Sequence, residues 1–161
     1  MENAAMLSYR TIFLAALLLT SCAASRNEPA GPWRIEVATE GGLAGRGVGT
    51  FAVASDGAIE VRTMQNTVCR YSASDEELRR FRELIAKAKP EQWAGSYVPA
   101  ERCCDRIQYT LTLEAGPKTT TSWIDEPNPM PADLTALVDA MVGGPQSLRV
   151  THGPRCQPEA R

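Results

Sequence analysis

Ile107-Gln108-Tyr109-Thr110-Leu111-Thr112-Leu113-Glu114 reads as a β-strand with one face on a core. Ile107, Tyr109, Leu111 and Leu113 alternate with Gln108, Thr110, Thr112 and Glu114, and a period of two is the strand period. Ala115-Gly116-Pro117 then turns the chain. Residues 118–124 are rich in β-branched side chains and predict the antiparallel partner. An isolated hairpin is at best marginally stable in water, so other elements have to cover this apolar face.

Those elements can be read on both sides. Upstream, residues 33–39 place Ile35 and Val37 in alternation, residues 50–54 place Phe51 and Val53, and residues 58–63 place Ile59 and Val61. Glycine-rich residues 40–49 predict the first turn, and Ser55-Asp56-Gly57 the second, because Asp-Gly tolerates positive φ. A short extended piece at 67–71 contains Cys69. Ser74-Asp75-Glu76-Glu77 is a capping box, so a helix is predicted from there to about residue 89, with Leu78, Phe81, Leu84, Ile85 and Ala88 as its apolar stripe. Residues 91–102 form a loop holding Trp93 and Tyr97. A second helix is predicted over 131–142, with Pro131 at its first position, Leu134, Leu137, Val138 and Met141 as its stripe, and Gly143-Gly144 as its stop. The order β-β-β-α-β-β-α predicts an α+β fold: an antiparallel sheet of four to five strands with two helices packed on one face.

The chain has 161 residues and a formal net charge of −2. Residues 33–142 suffice for one domain with a real core. Nothing in the charge attracts nucleic acid, and a monomer is expected. The single histidine, His152, stands beside glycine and proline and is expected to be solvent-exposed in a tail over 143–161. No serine-hydrolase elbow, zinc-protease helix motif or phosphate loop occurs. Asp125-Glu126 and Asp56 with Glu60 read as surface turn residues. No enzyme, no cofactor and no metal site are expected.

The first residues carry the plainest address. Arg10 precedes an apolar run from Ile12 to Leu19, and Leu19-Thr20-Ser21-Cys22 closes it. A basic segment, a short apolar run and small residues make a secretory signal. The run is much shorter than the ~20 residues that a spanning helix needs. The tetrapeptide resembles the bacterial lipobox. That resemblance implies removal of residues 1–21, lipid on the Cys22 sulfur, acylation of its new amine, and attachment to the bilayer. Each buried methylene contributes about 0.8 kcal/mol, so several chains hold firmly. Residues 22–32, small and proline-containing, read as a flexible tether. Ala23 after the cysteine favours the outer membrane over the inner, where the cell envelope has both.

Five cysteines fit export. With Cys22 lipidated, Cys69, Cys103, Cys104 and Cys156 remain. Neighbours are poorly placed to pair with each other. The expected schemes are therefore 69–103 with 104–156, or 69–104 with 103–156, and both tie the tail to the domain.

The glycine-rich turn after the first strand, the capped middle helix, and Asp105-Arg106-Ile107-Gln108-Tyr109 ahead of a proline-led helix together resemble the emfourin family. Its members are small bacterial inhibitors of thermolysin-like zinc metalloproteases. The matching positions are Gly41, Gly42, Gly45, Asp105 and Tyr109, within a resemblance that spans 33–142. The chain departs from the family in its lipobox, its four extra cysteines and a longer second hairpin. The resemblance implies inhibition by cleft occlusion and a secreted or periplasmic metalloprotease as partner. Candidate binding loops are the one with Gly41, Gly42, Leu43 and Gly45, and the one with Trp93 and Tyr97; the other reading is that the glycines only make a hairpin turn and that the two aromatics cap the core. The alternative is a structural or adaptor lipoprotein of the envelope with no inhibitory activity.

Overall fold

The computed structural model describes residues 29, 31–42, 48–100, 106–124 and 128–156. Its strands are β1 (Arg34–Gly41), β2 (Thr50–Ala54), β3 (Ala58–Arg62), β4 (Val68–Ser72), β5 (Ile107–Glu114) and β6 (Lys118–Ile124). They form one antiparallel sheet in the order β4-β3-β2-β1-β5-β6. The α+β class stands, and the sheet has six strands where four to five were expected. The difference lies in the short piece at 67–71, which pairs along its length with β3 as a full edge strand.

The alternation read in β5 runs through the whole sheet. Cys69, Val61, Phe51, Val37, Leu111 and Thr121 lie side by side across the six strands. Tyr71, Ile59, Val53, Ile35, Leu113 and Thr119 form the adjacent row. Most of these side chains are fully buried. Each large aliphatic one contributes roughly 1.5–3 kcal/mol by leaving water. Tyr109 and Trp123 stack with ring centroids 5.3 Å apart on the same face. The opposite face carries Glu36, Glu60, Arg70, Thr110 and Thr112, so the helices have one face to cover.

Helix α1 (Asp75–Lys87) starts at the expected capping box. The Glu77 amide donates to Ser74 Oγ (3.2 Å), and the Ser74 amide donates to Glu77 Oε2 (2.8 Å). It ends a little before residue 89, because Pro90 disfavours helical backbone just ahead of it and Ala88 is already extended. Helix α2 (Ala132–Val138) packs against α1. Phe81 and Ile85 of α1 join Leu134, Leu137 and Val138 of α2 and the sheet residues in one core.

The expected second helix over 131–142 is not continuous. After Val138 it widens into a π turn over Asp139–Gly143, closed by the Gly144 amide donating to the Asp139 carbonyl (2.8 Å). A Cβ on Gly144 would sit 2.8 Å from that carbonyl oxygen, so glycine permits the close approach. The wide turn buries Ala140, Met141 and Val142, reaching β1 and β2.

Beyond it the tail is part of the fold. Ser147 caps a short helix α3 (Leu148–Thr151), Leu148 is buried, and a single 3-10 turn leads to Cys156. Cys156 is bonded to Cys69 of β4, with Cα atoms 5.7 Å apart. Both expected disulfide schemes are therefore corrected. They assumed that the neighbours Cys103 and Cys104 each had to find a distant partner. Instead α3 folds back under the sheet and delivers Cys156 to the core face of the edge strand. Cys103 and Cys104 lie outside the described residues.

Candidate functional site: the loop end of the sheet

The antiparallel order gathers several connections at one end. Gly41 of β1 lies opposite Ile107 of β5, so the exit from β1 at Gly42 and the entry to β5 at Arg106 are neighbours. The entry to β2, the turn from β3 to β4 and the exit from β6 fall at the same end. The glycine-rich turn thus starts and finishes there.

Local chemistry fixes the described ends of that turn. Gly41 and Gly42 have φ of +85° and +76°, a region that side chains rarely enter. A Cβ on Gly41 would also lie 2.5 Å from the Arg106 carbonyl oxygen. On the far side, buried Thr39 acts as a brace. Its hydroxyl donates to the Gly49 carbonyl (2.7 Å) and accepts from the Val48 and Gly49 amides (2.8 and 2.9 Å). The sequence reading missed Thr39, because a strand threonine gives no sign that its oxygen turns back to hold a loop. Thr39→Val keeps the shape and removes these bonds. The expected result is a stability loss of about 1–3 kcal/mol, with faster hydrogen exchange at the Val48 and Gly49 amides.

Beside this brace is a groove of about 240 Å³. Val48, Phe51, Val61 and Met64 give it apolar walls, and Arg62 and Arg149 add positive charge. Met64 is 43 % exposed, and Val150, beside Arg149 in α3, is 52 % exposed. Among the described residues Arg149 has no carboxylate partner, whereas Arg62 lies 3.7 Å from Glu60. The groove can therefore take an apolar side chain next to an anionic group.

Other expected site residues have different places. Leu43 and Gly45 lie outside the described residues, as does Cys22. Trp93 and Tyr97, expected as binding-loop residues, face the core at 9 % and 8 % exposure. The Trp93 indole N–H donates to Asp133 Oδ2 (3.0 Å), and Tyr97 Oη accepts from the Ala94 amide (2.9 Å). The Tyr97 amide bonds to the Ser122 carbonyl of β6 (2.7 Å), so this segment covers the β6 edge at Ser122. These bonds use the polar atoms of both rings internally.

His152 is another correction. Expected in solvent, it is 6 % exposed, and its Nε2 lies 2.9 Å from Glu77 Oε1. An ionised Glu77 makes Nε2 the donor. Among the described residues Nδ1 has no hydrogen-bond partner. Ser74 Oγ bonds to the other oxygen of Glu77 (2.8 Å), so the carboxylate lies between hydroxyl and imidazole. A hydrolase triad needs the imidazole in the middle. The group instead fastens the C-terminal segment to the start of α1. Nothing local marks a contact between residues 75 positions apart.

Two carboxyls titrate below their ordinary range. For Asp133, burial opposes the charge, but the Lys89 amide (2.8 Å) and the Trp93 indole outweigh it. For Glu77, burial is likewise outweighed by the Ser74 amide, the His152 imidazole and the Ser74 hydroxyl. A lowered folded-state pKa stabilises the protein above the unfolded value and is lost as pH falls through the folded one. Stability is therefore expected to decline from about pH 5 downward. Asp133→Asn is expected to flatten that decline in denaturant melts taken at successive pH values.

Among the described residues no group of three or more His, Cys, Asp or Glu gathers as a metal-ligand set, and no helix is long and apolar enough to cross a membrane. Comparisons with protein-family models, curated proteins and solved structures find no match to this chain.

Proposed function

We propose that the protein is a lipid-anchored lipoprotein of the bacterial envelope that works by binding another protein at the loop end of its sheet. The target class is a thermolysin-like zinc metalloprotease, inhibited by occlusion of its cleft. The observation that carries the reading is the meeting of the braced glycine turn, the strand entries and an arginine-flanked apolar groove at one end. Such an end can enter a cleft as a preformed wedge. Holding a loop before contact avoids the ordering cost of about 0.5–1.5 kcal/mol per immobilised side chain. Thr39 and the positive-φ glycines hold the two described ends of the turn. The emfourin-like motif order supports the choice of target, and the lipobox supports the placement. Lipid on Cys22 and the tether at 22–32 keep the domain near the membrane, where it guards the envelope against secreted or periplasmic proteases.

The test is a titration of the purified full chain, in detergent, against thermolysin-like metalloproteases with a fluorogenic peptide substrate. The expected result is stoichiometric inhibition, weakened by Thr39→Val. No inhibition at micromolar protein removes the inhibitor reading. Recovery of one stoichiometric envelope partner from membranes, with no effect on proteases, favours the adaptor instead.

A further inference from the structure

The two edges of the sheet differ. The β6 edge is covered at Ser122, where the Tyr97 amide donates to the Ser122 carbonyl (2.7 Å) and the Ser122 amide to the Gly95 carbonyl (3.2 Å). Among the described residues no strand lies beyond β4 in the sheet. The direction of its free groups follows from its ends. The Thr63 amide bonds to the Thr67 carbonyl, and the Ala73 amide to the Gly57 carbonyl. Extended through the register, those pairs turn the backbone groups of Cys69 and Tyr71 toward β3. The amides and carbonyls of Val68, Arg70 and Ser72 therefore face outward.

A row of free backbone groups is a template for another strand. This one is held firmly from behind. Cys69 is bonded to Cys156, and Arg155 lies over the Tyr71 ring at 5.1 Å. The charge at the edge is uneven. Arg70, with its side chain 77 % exposed, and Arg62 share one carboxylate, Glu60, at 3.4 and 3.7 Å. Among the described residues one positive charge is left over. A second copy of the chain is a poor occupant, because two-fold pairing along the full strand sets Arg70 opposite its own copy. An acidic side chain at that position complements it.

We propose that the β4 edge receives an extended segment of a partner polypeptide as a seventh, antiparallel strand, with an acidic side chain opposite Arg70. The partner's backbone would supply the hydrogen bonds, and Arg70 would select the register. This surface is separate from the loop end, so it stands or falls independently of protease inhibition.

The experiment uses the oxidised full chain in detergent and two blocked peptides that alternate threonine and valine around a central glutamate or a central lysine. Amide NMR reads the contact, and fluorescence anisotropy reads the affinity. The expected result is that the glutamate peptide shifts the amides of Val68, Arg70 and Ser72. It binds about ten-fold tighter than the lysine peptide, Arg70→Glu reverses that order, and N-methylation of alternate peptide amides abolishes binding. Three outcomes would overturn the proposal. One is no shift at these amides with either peptide. Another is shifts confined to the groove at Val48, Phe51 and Met64. The third is an Arg70→Ser variant that self-associates while neither peptide touches β4, which makes Arg70 only a guard against aggregation.

Discussion

Replacing Cys69 and Cys156 together by serine is expected to lower stability by about 2–5 kcal/mol. The bridge joins residues 87 positions apart. In the chain-entropy model a loop of that length restricts the unfolded chain by roughly 4–5 kcal/mol. The folded state depends on the bridge in a specific place. Cys156 holds the segment that carries Leu148, His152 and the groove-lining Arg149. Its release should expose Leu148 and break the His152–Glu77 contact. Hydrogen exchange in α3 is expected to rise before exchange in β1 and β5 does. Denaturant melts with and without reductant give the same comparison without mutation. An unchanged midpoint would mean that the C-terminal segment is held by packing alone.

Trp93→Ala is expected to cost about 3–5 kcal/mol, the usual range for removing a buried aromatic side chain. The indole packs in the core, and its N–H satisfies Asp133. Asp133 also accepts from the Lys89 amide, so the deletion loosens the link between the end of α1 and the start of α2. The cover over β6 would loosen with it. Had Trp93 served as an exposed anchor for a target, truncation would reduce binding and leave stability nearly intact. Thermal or denaturant unfolding therefore separates the two roles, and the burial of the ring predicts the stability loss.

The fold was legible wherever one period repeated. Strand alternation located β5 and β6 to the residue, and the Ser74–Glu77 box located the start of α1, because both are local patterns. The β4 strand was undercounted because Val68–Ser72 is short and mostly half-exposed, as befits an edge. The π turn was illegible because Gly143-Gly144 reads as a helix stop whether the last turn is tight or wide. The tail misled for the opposite reason. His152 beside glycine looks solvated until Glu77, far away in sequence, supplies its partner. Site chemistry was harder still. Gly41 and Gly42 showed themselves by composition, while Thr39 acquires its role only when β1 meets the segment ahead of β2, and Arg149 only when α3 meets β2 and β3. Aromatic residues in a loop left contact with a target and a place over the core both open, and packing puts Trp93 and Tyr97 in the core.

In the proposed picture a lipid at Cys22 carries a disulfide-clipped binding module outside the cytoplasm. Intact mass of the native protein extracted from membranes, followed by peptide mapping, addresses it most directly. The account predicts a chain beginning at Cys22, heavier by its acyl groups, with Cys69 and Cys156 in one linked peptide. A protein still carrying the residues ahead of an unmodified Cys22, with both of those thiols reduced, would contradict it.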